Sequence, residues 1–295
     1  TFMATQATAS LLGAKVVFAD VRSDNANIDP RAVEAAITHR TRAIVAVDYA
    51  GHPADLSELK SIARKHDVIL IEDAAHSIGS LYRNSPVGSI ADLTTFSFFP
   101  TKNMTTGEGG AVSSPNPLLL EKARKFARQG LVRDPLEFKV TTEGPWHQEV
   151  QQFGLNYRLP DLLCALGISQ ARRIDKFKER RREIFNLYNS AIGESGRVIT
   201  PFEEDFVDSN WHLYPIKIQD GRRREVFEYL KQKNVGVQVN YFPAHLHPVF
   251  LDQGFKRGNF PRAEAFYDAE ISLPMHYGLQ NSEVEYIVER LREIT

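Results

Sequence analysis

A single cysteine, Cys164, is all the thiol in 295 residues, so an internal disulfide is excluded and a reducing compartment is expected. Cys164 sits in the apolar run "LLCALG", which reads as a small buried hydrophobe rather than a nucleophile. Net charge is almost absent too: 36 Lys and Arg oppose 37 Asp and Glu, leaving −1. Without an excess of either sign there is no global field to attract nucleic acid or an anionic membrane. No apolar stretch approaches the length of a membrane span, and no charged-then-apolar leader opens the residues given. Internal repeats and low-complexity segments are missing as well. What is present, 42% hydrophobic and 25% charged residues, suits a globular protein with a sizeable core, and the expectation is a soluble, cytoplasmic one.

The first half alternates short β-branched runs with amphipathic helical patterns. Strands are predicted over residues 15–21, 43–49, 68–73, 94–99 and 109–114, and helices over 29–38, 55–67 and 116–130. The run "VILIED" has four successive apolar residues, as for a strand covered on both faces. Such alternation argues for an α/β layer around a largely parallel sheet. Residues 131–153 are irregular and too long for a simple connection. Residues 159–193 read as helical, with the mixed-sign run "RRIDKFKERRRE" as a solvated face. A smaller α/β unit follows, with strands over 212–218 and 235–241 and helices over 223–234 and 282–294. The division expected is a large domain, 1–175, and a connecting helix with a small domain, 176–295.

Ligands of open α/β sheets sit at the carboxyl ends of the strands, where three segments here carry reactive groups. "VILIED" ends in Asp73 and runs on to His76; "TTFSFF" contains Ser97 and leads past Pro100 to Lys102; "AIVAVDYAGHP" ends in Asp48, Tyr49 and His52. In isolation Asp73 reads equally well as a helix N-cap. As a pair, a carboxylate and an amine from two strand ends suit pyridoxal phosphate: a lysine forms the resting imine, and an acid keeps the pyridinium nitrogen protonated. The "GEGG" loop after Lys102 gives the lysine room to move. His245 and His247 form an H-x-H pair, too weak without further ligands to indicate a metal. "GEGGAV" leads into a strand rather than opening a helix, which argues against a nicotinamide-binding turn.

The stretches "IEDAAHSIGS", "FSFFPTKNMTTGEGGAV" and "GLNYRLPD" resemble, in this order and spacing, the DegT-type sugar-nucleotide aminotransferases of the aspartate aminotransferase fold (type I). "TFMAT", "NIDPRAVEAAI", "AIVAVDYAGHPADL", "WHLYPIKI" and "VQVNYFPAH" extend the resemblance over nearly the whole chain. "EGPWHQEVQQFGLNYR" and "AEISLPMH" are most similar to the branch that aminates the UDP-4-keto-6-deoxy-sugar of the pseudaminic acid pathway, with the UDP-4-amino-arabinose branch next. The resemblance implies a pyridoxal phosphate enzyme that passes an amine, from L-glutamate, to a keto-sugar nucleotide in a ping-pong cycle for glycan biosynthesis. It makes Lys102 the imine-forming lysine and proton shuttle, Asp73 the partner of the pyridinium nitrogen, His76 a neighbour of the ring and Ser97 a phosphate ligand. Phe2 occupies the ring-stacking position, while Asn156 reaches the phosphate in a neighbouring subunit, which implies a homodimer with shared sites. Tyr241 and His245 fall where the family approaches the sugar nucleotide, although Asn240 replaces the more usual histidine before that tyrosine. Family members carry roughly seventy residues ahead of "TF", including a glycine turn whose N–H groups grip the cofactor phosphate, so an N-terminal portion beyond Thr1 is expected. For these residues taken alone, a catalytically impaired or regulatory relative is the alternative. Related sugar dehydratases carry histidine in place of the lysine, and Lys102 argues against that class.

Overall fold

The structure is a computed structural model that describes residues 1–193 and 196–295. Its main sheet has the order β1 (Ala43–Val47), β2 (Ile69–Asp73), β5 (Leu93–Ser97), β6 (Gly110–Ser113), with β3 (Leu81–Tyr82) and β4 (Ser85–Pro86) as a hairpin between β2 and β5. β1, β2 and β5 run parallel, and β6 returns antiparallel. The register sets Val47 beside Asp73 and Asp73 beside Thr95. Ser97, two residues beyond Thr95, therefore shares a face and a sheet end with Asp73.

One face of this sheet is closed by α2 (Pro30–Ala36) and α3 (Leu56–Lys65). Both begin where the sequence supplies a cap: Asp29 accepts from Arg31 N ahead of Pro30, and Asp55 accepts from Glu58 N. Leu56, Leu59 and Ile62 of α3 pack with Ile44, Ala46 and Leu70 of the strands. On the opposite face of β2, Ile69 is 39% exposed among the described residues. α1 (Ala4–Leu11) lies against the end of β2 through Thr5, and α4 (Pro117–Ala127) follows β6. Residues 131–153 form no simple loop: β7 (Leu131–Val132) and β8 (Glu149–Val150) pair as a short ribbon.

The long helical stretch divides at Arg172 and Arg173 into α5 (Asp161–Ala171) and α6 (Ile174–Ile192). Cys164, on α5, is half-buried rather than buried. α6 joins the two parts of the chain, packing Ile184, Phe185 and Tyr188 into the second core. That core surrounds an antiparallel sheet of order β12 (Glu270–Leu273), β11 (Tyr214–Ile218), β9 (Val198–Ile199). Around it lie α7 (Arg223–Gln232), α9 (Pro261–Ala269) and α10 (Asn281–Ile294); α8 (Pro248–Leu251) packs on Phe18 through Phe250, while β10 (Val207–Asp208) pairs back onto β3. The charged run on α6 is not wholly solvated, because Arg181 is buried.

Two predicted strands are not strands. Residues 15–21 are extended but make only a bridge, Val21 to Ile28. Phe18 is drawn instead into a cluster with Phe250, Phe255 and Phe260. Asp20 accepts from Arg262 N and Ala263 N at the start of α9, tying this segment to that helix. In residues 235–241 only Gln238 pairs, with Ser272. Beyond it, side chains take the backbone groups of Asn240. β12, which lies within "AEISLPMH" but is not among the predicted strands, is the strand that β11 uses instead.

Candidate active site

Asp73 closes β2 and sits in a turn rather than at a helix start: its Oδ1 accepts from Ala75 N at 3.2 Å, and residues 75–79 form turns. Its Oδ2 accepts from the Thr5 hydroxyl at 2.6 Å, so α1 holds the second oxygen. Lys102 lies five residues beyond Ser97, in a turn whose N–H returns to Phe99 O at 3.0 Å. Its amine makes no hydrogen bond among the described residues. Burial lowers it from the ordinary 10.5 to about 8, with the Asp73 carboxylate pulling the other way. At pH 7 about one such amine in ten is neutral, against fewer than about one in a thousand for a free lysine.

His76 is buried behind them. Its Nε2 lies 3.3 Å from the Tyr241 hydroxyl, and its Nδ1 has no partner among the described residues. Its ring is 4.3 Å from that of His212. Burial and, after it, the Lys102 charge drive His76 well below the usual histidine range. His212 is driven down by burial, then by His76 and Lys102, so both rings are neutral and Lys102 faces no imidazolium. A neutral His212 donates from Nδ1 to Asn103 Oδ1 at 3.0 Å, and Asn103 Nδ2 donates to Asn210 O. The residue next to Lys102 is thereby fastened to the segment before β11. Behind His212, the Arg181 guanidinium donates to the carbonyls of Trp211 and Met275, both at 2.9 Å. No carboxylate pairs with it among the described residues, and burial lowers it to about 10.

Phe2 stands 5.7 Å from the Tyr241 ring and is largely exposed. The structure thus brings Phe2, Asp73, His76, Lys102 and Tyr241 to one side of the sheet, with Ser97 at the same strand end. Among the described residues the Ser97 Oγ is met only by Phe99 N, at 3.4 Å. It does not bring in His245 or Asn156. His245 is buried, pairs with Glu264 Oε1 at 2.9 Å and packs on Phe18 and Phe260. Asn156 is exposed, bridged to Arg128, and accepts from Arg158 Nε. Asp48, Tyr49 and His52 are buried and committed to structure: Asp48 accepts from Ala54 N and Ser77 Oγ, and His52 Nε2 accepts from Glu204 N. Sequence reasoning missed Thr5, Asn103, Arg181 and His212: they lie in "TFMAT", "FSFFPTKNMTTGEGGAV", "RRIDKFKERRRE" and "WHLYPIKI", but none was singled out there.

A phosphate-bearing aldehyde with a basic ring nitrogen fits this set. It needs a reactive amine, a fixed carboxylate and a hydroxyl at one strand end, and the orphaned His76 Nδ1 marks a polar group awaiting a partner. No group of His, Cys, Asp and Glu able to hold a metal occurs among the described residues. No helix among them is long and apolar enough to cross a membrane.

Comparison with known proteins agrees with this geometry. The pattern of the DegT/DnrJ/EryC1/StrS aminotransferase family matches residues 1–292. The UDP-4-amino-4,6-dideoxy-N-acetyl-beta-L-altrosamine transaminase of Campylobacter jejuni (serotype O:2) is 35% identical over 300 residues, covering 100% of this chain and 77% of that protein. Among solved structures, the putative sugar aminotransferase Spr1654 from Streptococcus pneumoniae in its PMP-form superposes with a TM-score of 0.93 at 29% identity, over 100% of this chain and 79% of that one. Helicobacter pylori PseC, an aminotransferase involved in the biosynthesis of pseudoaminic acid, gives 0.91 at 32% identity, over 100% and 77%. The chain belongs to the DegT/DnrJ/EryC1/StrS aminotransferase family and is an aminotransferase dependent on pyridoxal phosphate.

Proposed function

We propose that the protein transfers an amino group from L-glutamate to a keto-sugar nucleotide of the 4-keto-6-deoxy-hexose type, in glycan biosynthesis. The observation that carries this reading is Lys102: a half-buried amine without a hydrogen bond among the described residues, lowered to about 8, at the same sheet end as Asp73. The sugar class is supported by the Campylobacter transaminase and by PseC. When bound, pyridoxal phosphate supplies the electron sink that stabilises negative charge at the carbon bearing the amine. Lys102, in its neutral fraction, takes and returns the proton that moves in each half-reaction. Asp73, held by Thr5 and Ala75, presents a carboxylate to the ring nitrogen, and Ser97 offers a hydroxyl to the phosphate. Phe2 and His76 would flank the ring. Tyr241 faces the sugar, and His245, fixed by Glu264, shapes the loop that carries it.

One site serving two substrates in turn implies a ping-pong order. Asn156 completes the site of a second copy in a homodimer. Its neighbours Phe153, Leu155 and Tyr157 are large, apolar and exposed, with Phe153 98% exposed, as expected of a surface that another chain covers. The test is to supply the natural, cofactor-loaded protein with L-glutamate and a UDP-4-keto-6-deoxy-sugar. We expect 2-oxoglutarate and amino sugar in equal amounts, with a 4-keto-pentose nucleotide turned over poorly. Release of 2-oxoglutarate no faster than in Lys102→Ala would overturn the reading.

A further inference from the structure

The segment before Tyr241 breaks off its sheet pairing at one residue, and the break has a visible cause. Gln238 and Ser272 exchange both backbone hydrogen bonds, Gln238 N to Ser272 O at 3.2 Å and Ser272 N to Gln238 O at 2.8 Å. In an antiparallel ladder the next pair to do so lies two residues on in one strand and two back in the other, here Asn240 and Glu270. That pair does not form. The Asn240 N–H donates instead to the Glu270 side chain, at Oε2, at 2.8 Å. The Asn240 carbonyl accepts from the Tyr49 hydroxyl at 2.7 Å. A carboxyl group from β12 and a phenol from the turn after β1 have taken both backbone groups that would have extended the strand. The chain leaves the sheet at once, and the next residue, Tyr241, sets its hydroxyl 3.3 Å from His76 Nε2.

We infer that Glu270 is a positioning residue of the active site: by capturing the Asn240 N–H it ends the strand and directs Tyr241 onto His76. Glu270 is fully buried, and its Oε1 accepts from the Ser272 hydroxyl at 2.5 Å, so both oxygens have fixed partners. The charged and titratable groups around it are Arg223 on α7, Tyr49 and Tyr241. Burial pushes its carboxyl up to about 8 against the pull of Ser272, Asn240 and Arg223. Near neutrality the group is therefore mostly protonated; the proton on Oε1 is then donated to the Ser272 hydroxyl, and Oε2 still accepts from the Asn240 N–H. What the site requires is the acceptor and its reach; the charge is dispensable. Glutamine keeps both, whereas methionine fills the space with neither.

The placement stands on geometry alone; that it serves the sugar-nucleotide reaction rests on the function proposed above. The test is therefore read without cofactor or substrate, from the imidazole nitrogens of histidine-labelled protein by NMR, with His76 assigned by its loss in His76→Gln. Tyr241→Phe removes the neighbouring hydroxyl and defines the displaced position of the His76 Nε2 signal. Glu270→Met is expected to move that signal to the displaced position, and Glu270→Met combined with Tyr241→Phe to move it no further. Glu270→Gln is expected to leave it where it is in the wild type. A folded Glu270→Met with the wild-type signal would overturn the inference. So would Glu270→Gln with the displaced one, an outcome that remains readable if the methionine variant does not fold.

Discussion

Lys102→Met is expected to make the cofactor-free protein more stable, although it removes the residue to which the proposed function assigns the chemistry. The amine is lowered from 10.5 to about 8, chiefly by burial. At about 1.4 kcal/mol per unit, the charged form is disfavoured by about 3 kcal/mol at most, and by about 2 kcal/mol once partial access to water is allowed for. Methionine has nearly the same length and loses nothing by burial. The sign of the pH dependence follows from proton counting. Between about 8 and 10.5 the folded wild type holds fewer protons than the unfolded chain, so the penalty is full below about 8 and disappears above 10.5. Urea denaturation followed by circular dichroism at pH 7, 9 and 10.5 should show the variant about 2 kcal/mol more stable at pH 7, with the gap closing as pH rises. A variant less stable than wild type at pH 7, or a gap that does not change with pH, would refute the claim that Lys102 is held as a desolvated amine.

Other perturbations separate chemistry from scaffolding. Asp73→Asn keeps partners for Thr5 and Ala75 but removes the carboxylate, and steady-state transamination should fall by about 100-fold or more with the melting temperature nearly unchanged. Glu264→Ala strips acceptors from His245, Gly258 N and Phe260 N; it should cost about 2–4 kcal/mol in urea denaturation while reduction still labels Lys102. Leu70→Ala, at a fully buried site in the core under α3, should cost about 2–5 kcal/mol by the same measure. Glu270 rises from 4.5 to about 8 on folding, so its contribution to stability is complete below 4.5 and is lost as pH rises to about 8. Glu270→Gln should flatten the decline in stability over that range, as read from melting temperatures.

The strands around the site were legible because each is a compact run bounded by turn residues: β1, β2 and β6 lie within the segments the pattern picked out, β5 starts one residue earlier, and Ile44, Ala46 and Leu70 of β1 and β2 face the α2 and α3 core. Strand-ending residues followed, which is why Asp73, Ser97 and Lys102 were found together. What failed depended on partners distant in the chain. Residues 15–21 look like a strand, yet Phe18 finds three aromatic rings from residues 250–260 and Asp20 finds the start of α9. Residues 235–241 look like one too, and Glu270 ends it. β12 has only four residues, all buried, too short a run to show periodicity. In the same way His212 becomes a site residue only when folding sets it on His76 and Asn103, and no spacing records that contact. His245 and Asp48 show the reverse, polar residues in motif-like positions whose partners prove to be structural.

The central claim is that Lys102 is the residue that engages the cofactor. The most direct measurement is to mix the natural protein with pyridoxal phosphate, reduce with borohydride and map the tagged peptides by mass spectrometry. The account predicts one stoichiometric pyridoxyl tag on the peptide carrying Lys102 and none in Lys102→Ala. A tag spread over surface lysines, or one undiminished in Lys102→Ala, would contradict it.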